Sequence, residues 1–277
     1  MDIEPHSLKK NGQEKPTIRI IHNLARSGGT LISKCLGSMK TVALLSEIHP
    51  KAQQAVSFNA VKQAQKWLDF DLTYPAQNND FVASIKAIDR HCSQHKKILL
   101  LRDWSHVDYL GVPVTTKPSN QTSLVNVLKD DFHIQNIQLL RNPIDTWLST
   151  RRLNLIKAAR ISSNDFIQAY LNYLKNTSSN SQLLYEDFLI EPDNILKQIC
   201  FHLKIEYDAS YRNKWHEFEQ ITGDKSNLSS HRAKPIIKPR ARRTIEIQEV
   251  EEIKTLQKHP AFKKILKLVP EFNCYTM

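Results

Sequence analysis

Two of the chain's six glycines stand side by side at Gly28 and Gly29. They lie in Leu24-Ala25-Arg26-Ser27-Gly28-Gly29-Thr30, between a β-branched run and a stretch of helical patterning. Such a turn lets backbone N–H groups converge on an anion, and the helix N-terminus adds positive potential. Arg26 supplies charge, and Ser27 and Thr30 supply hydroxyl groups. The chemistry this suits is phosphate binding. The GxxxxGK[ST] spacing of an ATPase loop is absent, so its lysine and magnesium ligand are missing. The bland alternative is a tight Gly-Gly turn with no ligand.

A second segment, Leu139-Leu140-Arg141-Asn142-Pro143, leads from an apolar run into a helix. Pro143 fits a first helical turn. Ser149 follows Arg141 by eight residues, two turns into that helix. One guanidinium and one hydroxyl in this arrangement can share a second phosphate. The alternative is a helix cap with Arg141 in a surface ion pair. A third segment, Leu44-Leu45-Ser46-Glu47-Ile48-His49-Pro50, ends another apolar run. Its Glu47 and His49, with His106 further along, are side chains able to take up a proton. A histidine serves at neutral pH without tuning, whereas a carboxylate needs partial desolvation.

Taken together, these segments resemble the sulfotransferases that use 3′-phosphoadenosine 5′-phosphosulfate (PAPS). Arg26-Ser27-Gly28-Gly29-Thr30 is similar to the family's 5′-phosphosulfate loop, [KR]-S-G-T-T, with Gly29 where many members have threonine. Arg141 and Ser149 resemble its 3′-phosphate pair, and Leu184-Tyr185-Glu186-Asp187-Phe188 resembles its YEDL segment. The likeness spans residues 17–205. It implies that Arg26, Ser27, Gly28, Gly29 and Thr30 hold the 5′-phosphosulfate, with Arg26 also catalytic. It implies that Arg141 and Ser149 hold the 3′-phosphate, with Arg151 and Arg152 behind them. The tyrosylprotein sulfotransferases resemble the chain in a glutamate at the place of Glu47. That puts Glu47 first as base, His106 second and His49 third. The family needs no metal.

The elements that must position these residues alternate. Strands are expected at 17–23, 41–46, 97–101, 136–140 and 181–185, and helices at 30–39, 51–69, 80–92, 163–176 and 192–203, with a further helix from Pro143. Short Ile-, Leu- and Val-rich strands between helices predict a single α/β domain with a central parallel sheet. Ligands of such sheets bind beyond the carboxyl ends of the strands. Residues 1–16 are polar and read as a disordered lead-in, leaving 17–277 as the domain. Within it, 205–277 is a more helical, basic C-terminal extension.

The chain has 277 residues, with 39 Lys and Arg against 28 Asp and Glu, a net charge of +11. That excess points to an anionic partner. Residues 231–243 hold six Lys or Arg and no acid. The family resemblance makes this segment a lid over the cofactor, with Lys225, Arg240 and Arg242 as contacts. Nucleic-acid binding and a solvated basic loop are the rival readings, and interleaved aromatics are lacking. The four cysteines are widely spaced, without metal-ligand patterning, as in a reducing compartment. No apolar run reaches the roughly 18 residues of a membrane span, and the N-terminus has no signal-peptide pattern. The expectation is a cytoplasmic enzyme that moves a sulfuryl group from PAPS to a small-molecule hydroxyl or amine, tailoring a natural product among the options. A P-loop kinase and a basic nucleic-acid-binding protein are the alternatives. Trp147 is expected in the core, and Trp104 in the core or lining an acceptor pocket.

Overall fold

Five apolar segments form strands: β1 (Thr17–Asn23), β2 (Val42–Ile48), β3 (Ile98–Asp103), β4 (His133–Leu140) and β5 (Gln182–Leu184). In this computed structural model the described residues are 14–71, 80–115, 117–176, 182–223, 236–239 and 244–275. The strands pair in parallel in the order β2-β3-β1-β4-β5. From β1 the chain crosses to the β2 edge, and from β4 it continues to the β5 edge. These two exits diverge, which opens a crevice beyond the carboxyl ends of β1 and β4.

Side-chain alternation feeds both faces of the sheet. Ile18, Ile20, Leu99 and Leu101 face one core, whereas Ile21 and Leu100 face the other. Each fully buried side chain of this size contributes about 1.5–3 kcal/mol relative to exposure. Helices α1 (Gly29–Gly37) and α10 (Pro192–Leu203) cover one face; α2 (Ala60–Trp67), α3 (Phe81–Gln94) and α5 (Ser123–Leu128) cover part of the other. The rest of that second side is a helical layer of α4 (Ser105–Leu110), α6 (Pro143–Thr150), α7 (Asn154–Ala158), α8 (Ser163–Lys175), α12 (Ile247–Lys258) and α13 (Pro260–Leu268). Helices α9 (Tyr185–Ile190) and α11 (Tyr211–Lys214) are short. Among the described residues no helix is long and apolar enough to cross a membrane.

One expected helix differs. Residues 51–69 form two 3-10 turns, Pro50–Ala52 and Val56–Phe58, before α2 begins. The His49 ring accepts from Lys51 N, Gln53 Oε1 accepts from Ala60 N, and Asn59 Oδ1 accepts from Lys62 N. Three side chains thus offer the backbone local partners that compete with a continuous helix. Strand β2 runs to Ile48, so Glu47 lies within the strand's last residues.

The C-terminal helices are fastened to α6. Arg151 pairs with Glu249 and Glu252 on α12, and Arg152 pairs with Glu246 and Glu249. Trp147 is buried, as expected of a core residue, and its Nε1 donates to Glu252 at 2.8 Å. Arg151 and Arg152, which the family resemblance set behind Arg141 and Ser149, are engaged by carboxylates at and after the start of α12.

Candidate active site

The loop after β1 is shaped by two left-handed residues, Arg26 (φ 68°) and Gly28 (φ 88°). Ser27 is buried, and its hydroxyl donates to Leu24 O at 2.6 Å. That hydroxyl closes the turn from inside. Gly28 is the N-cap of α1, and no side chain caps this helix. Its first N–H groups therefore face the crevice as anion donors. Both glycines also lie close against neighbouring side chains. A Cβ on Gly28 would collide with the Tyr185 ring, and one on Gly29 with the Asn23 amide. We expect Gly28→Ala to lose about 2 kcal/mol of stability, because a Cβ is strained at this φ and the ring must move. Urea unfolding of the variant checks this.

The loop after β4 converges on the same place. Arg141 Nη1 donates to Arg26 O at 2.8 Å, and Arg26 Nε donates to Ser149 Oγ at 2.9 Å. The Arg141 guanidinium lies over the Tyr185 ring, 5.3 Å from its centroid. Its carbonyl accepts from Tyr170 OH at 2.6 Å. Asn142 caps α6 through Ile144 N, and Asn142 N donates to Glu186 Oε1 at 2.9 Å. Burial raises the Glu186 carboxyl above its ordinary range. So the two segments read as phosphate sites are brought into contact, with the YEDL-like segment bracing both. Among the described residues neither Arg26 nor Arg141 forms an ion pair with a carboxylate. Two cations beside an uncapped helix N-terminus fit a doubly phosphorylated ligand.

Sequence reasoning missed Arg102. It is the next-to-last residue of β3, is 2% exposed, and reaches Thr30 of α1. Its Nη1 donates to Thr30 Oγ1 at 2.9 Å, and its Nη2 donates to Thr222 O at 3.0 Å. Nη2 also lies 3.2 Å from Glu47 Oε1. Arg102 therefore joins the phosphate loop to the leading base candidate. The available signal was a charged residue directly after the apolar run 98–101, near the carboxyl edge of a buried parallel strand. Glu47 itself retains some exposure, with its carboxylate against Gly223.

The histidines are placed differently from Glu47. His49 is buried; its Nδ1 caps the following turn, and its Nε2 lies 3.2 Å from Asp108 Oδ1. His106 is buried edge-on to Trp104, which stacks on Phe58 at 4.0 Å. Burial, with Arg102 and His49 nearby, holds the His106 imidazole down to about 3. An imidazole so depressed accepts protons weakly at neutral pH. The sign for stability follows from the unfolded chain, where histidine titrates near 6.5. Below that pH the unfolded state takes up a proton that the folded state refuses, so stability falls as pH falls. By pH 5 the loss is about 2 kcal/mol. Thermal unfolding at pH 7 and pH 5 should show a smaller decrease in His106→Asn than in the unsubstituted protein.

Lys225, Arg240 and Arg242 lie outside the described residues. Cys35, Cys92 and Cys200 are buried free thiols, and burial pushes Cys92 and Cys200 up to about 12. Among the described residues no group of three or more His, Cys, Asp or Glu is placed to hold a metal.

Solved structures share this architecture. A sulfotransferase domain from the curacin biosynthetic pathway matches with a TM-score of 0.57 and 18% identity, covering 93% of this chain and 99% of that one. The sulfotransferase domain of the Synechococcus PCC 7002 olefin synthase matches with a TM-score of 0.57 and 17% identity, covering 90% and 98%. The chain has the sulfotransferase fold. No family model and no curated protein sequence matches it. Within the sulfotransferase fold, the crevice over β1 and β4 holds Arg26, Thr30, Arg141 and Ser149, and the adjoining ends of β2 and β3 hold Glu47 and Arg102.

Proposed function

We propose that the chain transfers a sulfuryl group from PAPS to a hydroxyl or amine of a small-molecule acceptor, releasing 3′-phosphoadenosine 5′-phosphate (PAP). The observation that carries this is the convergence of Arg26, Arg141 and Ser149 over the uncapped N-terminus of α1. PAPS supplies the activated sulfuryl group. The N–H groups of residues 28–30 and Arg26 bind its 5′ end, and Arg141 with Ser149 binds its 3′-phosphate. Donors fixed before the reaction stabilise developing charge without reorganising, which is commonly the largest catalytic contribution. Glu47 accepts the acceptor's proton. Arg102, held by Thr30 and Thr222, orients that carboxylate and adds positive charge beside the transfer path.

The acceptor side is assigned to the ends of β2 and β3, where Trp104, stacked on Phe58, donates its N–H to the carbonyl of Ile48, the residue after Glu47. One structural neighbour comes from a biosynthetic pathway, which is in keeping with natural-product tailoring. The lid reading of the basic 231–243 segment, with Lys225, Arg240 and Arg242, is part of this proposal, as is action in the cytoplasm.

Thermal unfolding with PAP, and separately with ATP and magnesium, tests the reading. A ligand at about 100 times its dissociation constant adds roughly 2.7 kcal/mol, several degrees for a domain of this size. PAP is expected to stabilise the chain without metal. Stabilisation by ATP with magnesium alone would point to a kinase, and no response to either would overturn the proposal.

A further inference from the structure

Glu47 stands at φ 56°, in the left-handed region. A residue with a Cβ stays there only when its surroundings hold it, and such residues gather at functional sites. The cause lies one residue earlier. The register of β2 against β3 shifts between Leu45 and Ile48. Ser46 falls inside this break, and its buried backbone needs other partners.

A single side chain from α2 supplies them. Gln63 is buried; its Oε1 accepts from Ser46 N and its Nε2 donates to Ser46 O, both at 2.7 Å. The same Nε2 donates to Ser57 O at 2.9 Å. Thr222 grips Ser46 as well. Thr222 N donates to Ser46 Oγ at 3.2 Å, and Thr222 Oγ1 donates to Ser46 O at 3.1 Å. Beyond the break, Trp104 N donates to Ile48 O at 3.1 Å. The residues before and after Glu47 are thus fixed, while Glu47 itself is turned out of the strand.

We infer that Gln63 is a positioning residue for Glu47. Its carboxamide replaces the missing strand partner across the break in β2, sets the backbone angle of the next residue, and so aims the Glu47 carboxylate at Arg102. Thr222 completes the clamp and ties it to Gly223, whose φ of 87° lets its backbone sit against that carboxylate. The inference rests on the reading of Glu47 as the base.

The test compares Gln63→Met, Gln63→Glu and Glu47→Gln. Three quantities are read: PAP affinity by calorimetry, PAP release from PAPS in the presence of simple amine and phenol acceptors, and amide exchange at residues 46–48. Gln63→Met is expected to lower turnover about 10²-fold, as a misaimed group does, with PAP affinity unchanged. Exchange at 46–48 should accelerate while β1 and β4 stay protected. Gln63→Glu retains the acceptor for Ser46 N and should fall between Gln63→Met and the unsubstituted chain. Unchanged exchange at 46–48, or full turnover in Gln63→Met where Glu47→Gln is inactive, overturns the inference and leaves the proposed function standing. No PAP binding by the unsubstituted chain overturns the proposed function and the inference with it, whereas full turnover in Glu47→Gln overturns the reading of Glu47 as the base, and with it the inference, and leaves sulfuryl transfer standing. Should the acceptors tried give no turnover, the exchange measurement alone decides whether Gln63 holds the segment.

Discussion

Arg141→Ala is expected to weaken PAP binding by roughly 10- to 100-fold, the usual loss when a charged hydrogen-bond partner is removed. The effect has two parts. One is the direct loss of a guanidinium from the 3′-phosphate. The other is indirect, because Arg141 also donates to the Arg26 carbonyl and lies on Tyr185. Removing it frees the turn that places Arg26. Arg141→Lys separates the two: it keeps a charge but not the planar fork or the stacking. Affinity for adenosine 5′-phosphosulfate, which lacks the 3′-phosphate, should change less than affinity for PAPS. Calorimetry with PAP, PAPS and adenosine 5′-phosphosulfate reads all of this. An Arg141→Ala protein that binds PAP unchanged removes the 3′-phosphate assignment.

Glu47→Gln is expected to lower turnover by about 10²- to 10⁴-fold, the range for loss of a positioned general base. The amide oxygen can still accept from Arg102, so the buried guanidinium keeps its contact and the fold should survive. Thr30 and Thr222 continue to hold Arg102 in any case. PAP affinity should therefore stay close to that of the unsubstituted chain, and the loss should appear in kcat. Equal losses in PAP affinity and in turnover would mean that Glu47 serves the cofactor site. Full turnover would turn attention to His106 and His49, both buried and both less exposed than Glu47.

The parts of the site that are local in sequence were legible there. Residues 17–30 carry the strand, the Gly-Gly turn and the helix start in one stretch, and the structure keeps them in that order. Arg141 precedes the helix that carries Ser149, and the nearness of the two in sequence agrees with both meeting Arg26. The parallel sheet followed from short apolar strands alternating with helices. What the sequence hid depends on contacts between distant segments. Arg102 acquires its meaning only when α1 brings Thr30 and the segment after α11 brings Thr222 beside it. Gln63 looked like one more polar position on a helix, because nothing local announces a break in a strand 17 residues away. Local contacts explain why the helix expected over 51–69 begins only at Ala60. Its apolar spacing was adequate, but His49, Gln53 and Asn59 give the backbone other partners.

The ion pairs between α6 and α12 bear on selectivity. Arg151 and Arg152 directly follow the helix that carries Ser149, and left bare they would widen the positive field around the crevice. Glu246, Glu249 and Glu252 cancel them. The field is thereby sharpened onto Arg26 and Arg141. In a chain of net charge +11, any polyanion is attracted at long range. Replacing the exposed Glu246 with Gln would uncover part of this charge while the buried Glu249 keeps α12 fastened to Arg151 and Arg152. Such a protein should bind heparin and RNA more tightly while gaining little for a nucleotide. Among the described residues, the carboxylates at and after the start of α12 thus take up Arg151 and Arg152 and leave Arg26 and Arg141 as the crevice cations without a carboxylate partner.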